Sequence, residues 1–151
     1  MSPSFQLLIQ TRRNLLSLTE PFSLDQLNQI PDGFNNNLFW HLGHVIATQQ
    51  LLMYKNSGLD TLIPSEFIDK FRKGSKPEEA FGEEMLAYIQ RQMIVTAEQA
   101  FRDFEAGKFA EYASYPTSYG YELASIEDAV RFNNVHEGLH FGYAQALRRS
   151  L

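Results

Sequence analysis

The feature that most constrains this chain is a series of segments whose apolar residues recur at helical spacing, each closed by proline or glycine. The first, SPSFQLLIQTRRNLLSL, opens on serines and a proline and sets Phe5, Leu8, Ile9, Arg12, Leu15 and Leu16 on one face before Pro21. A short turn from Ser23 ends at Pro31-Asp32-Gly33. Asn35, Asn36 and Asn37 supply N-caps for LFWHLGHVIATQQLLMYKN, which Gly58 stops. Pro64-Ser65 opens another short helix that ends by Gly74. Pro77 then suits a first helical turn, with Glu78 and Glu79 favourable near a positive helix end. The long run that follows places Phe81, Met85, Tyr88, Ile89, Gln92, Val95, Gln99 and Phe104 near one side, and Gly107 closes it. Ser125, with Asp128 as acidic capping partner, starts a last helix that runs to the C-terminus. The pattern predicts four long helices, two short ones and no strand. That is an all-α four-helix bundle with short extra helices in its connections, one domain over residues 1–151. Two long connections also permit an order other than up-down-up-down.

Composition removes several functions. Without cysteine there is no disulfide, thiolate metal site, iron–sulfur cluster or cysteine nucleophile. Thirteen Lys and Arg against eighteen Asp and Glu leave a net charge of −5, which speaks against a nucleic-acid partner. The N-terminal segment lacks the order of a secretory signal, and no apolar run approaches membrane-spanning length. A soluble cytoplasmic protein is the expectation.

The chain has only four histidines, and they come in pairs: His41 and His44 on one predicted helix, His136 and His140 on the last. Residues three or four apart on a helix lie about 60° or 40° from one another, so each pair shares a face. The neighbours on those faces are apolar: Leu38, Val45 and Leu52 in one case, Phe132, Leu139, Tyr143 and Leu147 in the other. Three imidazoles converging from two inward faces suit a divalent transition ion with an open position. The last helix offers two ligands, and the third is His41 or His44. Pairs at this spacing also suit surface exposure or hydrogen bonding in a metal-free core.

His136-Glu137-Gly138-Leu139-His140 reads literally as H-E-x-x-H, the metalloprotease pattern. A further ligand must follow that motif, yet only eleven residues come after His140. The extended form wants glycine where Tyr143 stands and histidine where Ala146 stands. No predicted strand holds an extended peptide. Glu137, turned about 100° from His136, is either within reach of a metal-bound water or a surface residue. The protease match is weak.

The segments Leu38-Phe39-Trp40-His41-Leu42-Gly43-His44-Val45 and Val135-His136-Glu137-Gly138-Leu139-His140-Phe141-Gly142-Tyr143-Ala144-Gln145 resemble the DinB/YfiT-like superfamily, in helix order across essentially the whole chain. The resemblance implies a metal held by His44, His136 and His140, with His41 lining the pocket or standing in as alternative ligand. It implies metal-assisted transfer of a low-molecular-weight thiol, or metal-dependent hydrolysis, on a small-molecule substrate, and a homodimer. Zinc or nickel leads the metal choice, with iron and manganese also compatible with imidazole ligands. Thr48, Gln49 and Asn133 are candidates to orient ligands or substrate, or else ordinary polar edge positions. Tyr112, Tyr115, Tyr119 and Tyr121 either cover the pocket mouth or pack as amphipathic plugs. Trp40 reads as core, and Glu78-Glu79 with Glu83-Glu84 as a solvated face. The competing readings are a binding protein that holds its ion without turnover and a metal-free, dimeric helical scaffold.

Overall fold

The computed structural model describes residues 1–151. In chain order the helices are α1 (Pro3–Thr19), α2 (Leu24–Asn28), α3 (Leu38–Gln49), α4 (Ser65–Phe71), α5 (Glu83–Glu105) and α6 (Ile126–Leu147). The caps are largely those the sequence offers. Ser23 and Gln26 form a reciprocal capping box on α2, and Asn37 Oδ1 accepts the Trp40 N–H at 2.8 Å to start α3. Ser125 Oγ accepts the Asp128 N–H to start α6, whereas the Asp128 carboxylate turns to the Ala124 N–H instead of closing the box.

Three expectations need correction. The stretch 76–82 is a loop, so Pro77, Glu78 and Glu79 precede α5 rather than open it. Asn28 holds that loop, its side chain both donating to the Phe81 carbonyl and accepting the Phe81 N–H. A small antiparallel pair, β1 (Tyr115–Pro116) with β2 (Glu122–Leu123), lies where no strand was predicted. Two residues per strand are too few to leave an alternating pattern. On α5 the buried stripe is Ile89, Met93, Thr96, Ala97, Ala100 and Asp103, while Val95 is 46% exposed. Phe81 and Ile89 of the predicted face are buried, and Met85, Tyr88 and Phe104 pack on the core from partly buried positions. Val95 departs from it, its place taken by the small residues Ala97 and Ala100, where neighbouring helices come close.

Helices α1 and α3 each pack on both α5 and α6 and meet one another only slightly. Consecutive long helices α1 and α3 therefore lie across the bundle's diagonal, an order that the long connections make possible. α3 is buried on every side from Leu38 to Ala47, because α4 covers the face that the bundle leaves open. Gly43 makes that approach possible: a Cβ there would lie 2.3 Å from the Phe71 ring. After Gln49 the helix widens into a π turn, Gln50–Tyr54, then a 3₁₀ turn, Lys55–Ser57, and stops at Gly58 in the left-handed conformation.

The apolar interior is two clusters. One gathers Leu15, Leu18, most of α3 and α4, Ile89, Met93 and Leu147; the other gathers Phe5, Leu8, Leu52, Met53, Ala97, Ala100 and Val130. Between them lies a polar layer centred on Arg12, which is fully buried. Its Nε and Nη2 donate to the Glu137 carboxylate at 2.8–3.1 Å, and Nη1 donates to the Met93 carbonyl and to Thr96 Oγ1. Gln49 Oε1 accepts from Nη2, and Asn133 Nδ2 donates to Glu137 Oε1 at 2.9 Å. Every nitrogen of the guanidinium thus has an acceptor, the condition under which a buried charge is tolerated.

Candidate metal centre

His41 and His44 project from the first half of α3, and His136 and His140 from the middle of α6 where the two helices pack. All four imidazoles meet. His136 Nε2 lies 3.2 Å from His44 Nε2 and 3.1 Å from His140 Nε2. His41 faces the other side of His140, with the two Nδ1 atoms 2.8 Å apart. His44, His136 and His140 form the one group whose ligand atoms all lie within 4.8 Å of each other.

Proton placement decides what this cluster suits. His44 Nδ1 lies 2.7 Å from the Phe71 carbonyl, which can only accept, so His44 carries its proton on Nδ1 and presents a lone pair at Nε2. His140 satisfies its Nδ1 with His41 in the same way when its own Nε2 is left bare. A neutral His136 has one proton, and at Nε2 it can serve only one of the two facing nitrogens. A cation at the centre would accept all three lone pairs together. Bonds of about 2.0–2.1 Å at tetrahedral angles put ligand nitrogens roughly 3.3 Å apart, close to the observed 3.1 and 3.2 Å. The donor set fits a divalent transition ion.

The rings are neutral at physiological pH. Burial pushes His41 down to about 4, helped by the nearby His44. Burial likewise holds His44 at about 4, against the upward pull of its bond to the Phe71 carbonyl. Burial, then His44 and His41, bring His136 to about 3. Burial and all three neighbours bring His140 to about 2. Neutral imidazole is the form that binds metal. Trp40 fixes the His44 ring by stacking on it, with centroids 4.2 Å apart and planes 15° from parallel. Trp40 is held in turn by its Nε1–H on Ser75 Oγ at 2.9 Å.

The three converging histidines line a cavity of about 810 Å³, together with Trp40, Thr48, Phe132 and Tyr115. A separate groove of about 670 Å³ between α4 and the start of α5 contains no histidine. Of the predicted orienting residues, Thr48 reaches the site, its Oγ1 lying 3.3 Å from His44 Nε2. Gln49 and Asn133 do not; both face the Arg12–Glu137 layer. Glu137 is neither a surface residue nor aimed at the histidines, because helical rotation turns it into the bundle onto Arg12. Tyr115 joins the cavity wall, Tyr112 is tied by its hydroxyl to the Leu52 carbonyl, and Tyr119 and Tyr121 are exposed. On α6, Leu139 and Tyr143 are exposed, while Ala129, Val130, Ala144 and Leu147 make the buried stripe.

A sequence model of the DinB superfamily matches residues 7–144. The chain belongs to the DinB superfamily. No protein of curated function matches it in sequence. Membership agrees with the all-α bundle and with a three-histidine group able to hold a metal ion. The DinB fold here also uses residues that the motifs do not mention. Arg12 was legible as a charge inside an apolar stripe. The Phe71 carbonyl, a backbone group, left no trace in sequence. No helix is long and apolar enough to cross a membrane.

Proposed function

We propose that this DinB-superfamily chain is a metal-dependent enzyme whose ion is held by His44, His136 and His140 and acts on a small molecule, as a hydrolase or a thiol S-transferase. The observation that carries this reading is the convergence of three Nε2 atoms at a cavity wall, one of them with its proton locked away on the Phe71 carbonyl. A divalent ion bound there would lower the pKa of water or of a thiol and so supply a nucleophile near neutral pH. The protein's part is orientation. The Phe71 carbonyl sets the proton position on His44, His41 Nδ1 can accept the Nδ1 proton of His140, and Trp40 fixes a ring plane. Thr48 Oγ1 stands beside His44 Nε2, where it can hydrogen-bond a group bound next to the histidines. A thiol nucleophile has to arrive from solution, since the chain has no cysteine. Glu137 is committed to Arg12, so a base for water activation comes from the substrate or solvent.

Elemental analysis of protein purified without a histidine tag tests the reading, beside a His44→Ala/His136→Ala/His140→Ala variant. About one zinc or nickel per chain, lost in the variant, is the expected result. It would be followed by screens of hydrolysis and of thiol transfer. No metal in either protein, even after incubation with zinc or nickel, would leave a metal-free bundle and sink the proposal.

A further inference from the structure

The cavity that the three histidines line has a charge pattern opposite to that of the whole chain. The molecule carries a net charge of −5, with acids outnumbering bases. The cavity lining nevertheless includes Lys55, Arg72 and Lys73 and not one Asp or Glu. These cations come from two separate elements that converge at the mouth. Lys55 begins the 3₁₀ turn after α3, and Arg72 and Lys73 follow directly on α4. All three are exposed, and neither lysine has an ion-pair partner. Arg72 meets only Asp69, 3.3 Å away and 70% exposed, a solvated pair that would give way at small cost. The loop bearing Lys73 is anchored rather than free. Ser75, two residues on, accepts the Trp40 indole Nε1–H and shares its one hydroxyl proton between the Arg72 and Lys70 carbonyls. The rim is therefore fixed relative to Trp40 and, through its stacking, to His44. Charges of one sign around a walled cleft focus their field into it and draw in the opposite charge.

We propose that the small molecule bound in this cavity is anionic, with a carboxylate or phosphate held by Lys55, Arg72 and Lys73 while its reacting end lies against the histidines. The proposal rests on the metalloenzyme reading for what happens at that reacting end, but anion binding itself does not require turnover. At about 810 Å³ the cavity suits a compact metabolite-sized molecule rather than a polymer.

Trp40 is the chain's only tryptophan and lines this cavity, so its fluorescence reports occupancy directly. Zinc-loaded and metal-free protein are titrated at constant ionic strength with inorganic phosphate, with succinate, and with the neutral analogue succinamide. Saturable responses to phosphate or succinate and none to succinamide are expected, and the stronger of the two anions identifies the favoured headgroup. The Lys55→Gln/Arg72→Gln/Lys73→Gln variant should keep its metal content and weaken anion binding at least tenfold. In the unmodified protein, affinity should fall as salt is raised. Equal binding of succinate and succinamide would overturn the proposal, as would no saturable response to either anion. Anion affinity that survives in the triple variant would assign binding to the metal alone and overturn it equally. Wild-type protein that takes up no metal but still binds anions through this rim would sink the enzyme reading and leave the cationic mouth standing.

Discussion

Replacing Glu137 by glutamine separates a scaffold role from a chemical one. In the structure Glu137 is fully buried, and its carboxylate accepts from Arg12 Nε and Nη2 and from Asn133 Nδ2. Glutamine keeps the shape but removes the charge, and its amide N–H group faces an Arg12 donor in either orientation, because both carboxylate oxygens accept from Arg12. The Arg12 guanidinium then stays buried with no counter-charge. Removing one partner of such a pair costs about 3–5 kcal/mol, a large part of the roughly 5–15 kcal/mol that holds a typical domain together. At about 2–4 °C per kcal/mol for a chain of this size, Tm should fall by roughly 6–20 °C. The assay is thermal and urea unfolding of metal-free protein, followed by circular dichroism, with metal uptake measured in parallel. An Arg12→Met/Glu137→Gln double variant should recover at least half of the loss, because neither charge is then left alone. A Glu137→Gln protein that unfolds at the wild-type temperature yet loses turnover would refute this reasoning. It would restore the H-E-x-x-H reading, in which the glutamate touches reacting atoms.

Gly43→Ala should cost about 1–3 kcal/mol, since the new methyl meets the Phe71 ring at 2.3 Å. It should also loosen metal, because the Phe71 carbonyl orients His44; chelator competition reads this, and wild-type affinity would contradict it. His41→Ala should keep one metal per chain at about 10–100-fold lower affinity, whereas His44→Ala should lose it, and equal losses would break the division of roles between them. Stability of metal-free protein should decline as pH falls from about 6.5 towards 4. The unfolded chain protonates its histidines near 6.5, while the folded cluster resists until about 4 or below, so the unfolded state binds more protons in that window. Each such proton steepens the decline by about 1.4 kcal/mol per pH unit. Urea midpoints that stay level from pH 7 to pH 5 would show that the histidines are not buried and neutral.

The bundle was legible because helix ends are encoded locally. Asn37, Ser125, Gly58 and Gly107 each act within a turn of their own position, and the structure uses all four. Convergence of the histidines was legible for a related reason: i, i+3 and i, i+4 spacing puts each pair on one face, which α3 buries among apolar neighbours, whereas on α6 Leu139 and Tyr143 beside the pair stay exposed. What escaped depended on distant partners. Glu137 meets Arg12 across 125 residues of sequence, and nothing local to either residue says so. The inward stripe of α5 is set by how near its neighbours come, which favours Ala97 and Ala100 over Val95. The rim cations belong to two turns that only the tertiary fold brings to one mouth.

The π turn at Gln50–Tyr54 bears on how relatives of this chain are to be read. Its i→i+5 bond, from the Lys55 N–H to the Gln50 carbonyl, encloses one residue more than an α turn. Relative to an unbroken helix, every position beyond it is offset by one. A family member without the bulge aligns correctly only with a single-residue gap between Gln49 and Lys55. An ungapped comparison would match the rim lysine to the wrong neighbour, so tracing this cation through the lineage means counting helical turns rather than letters.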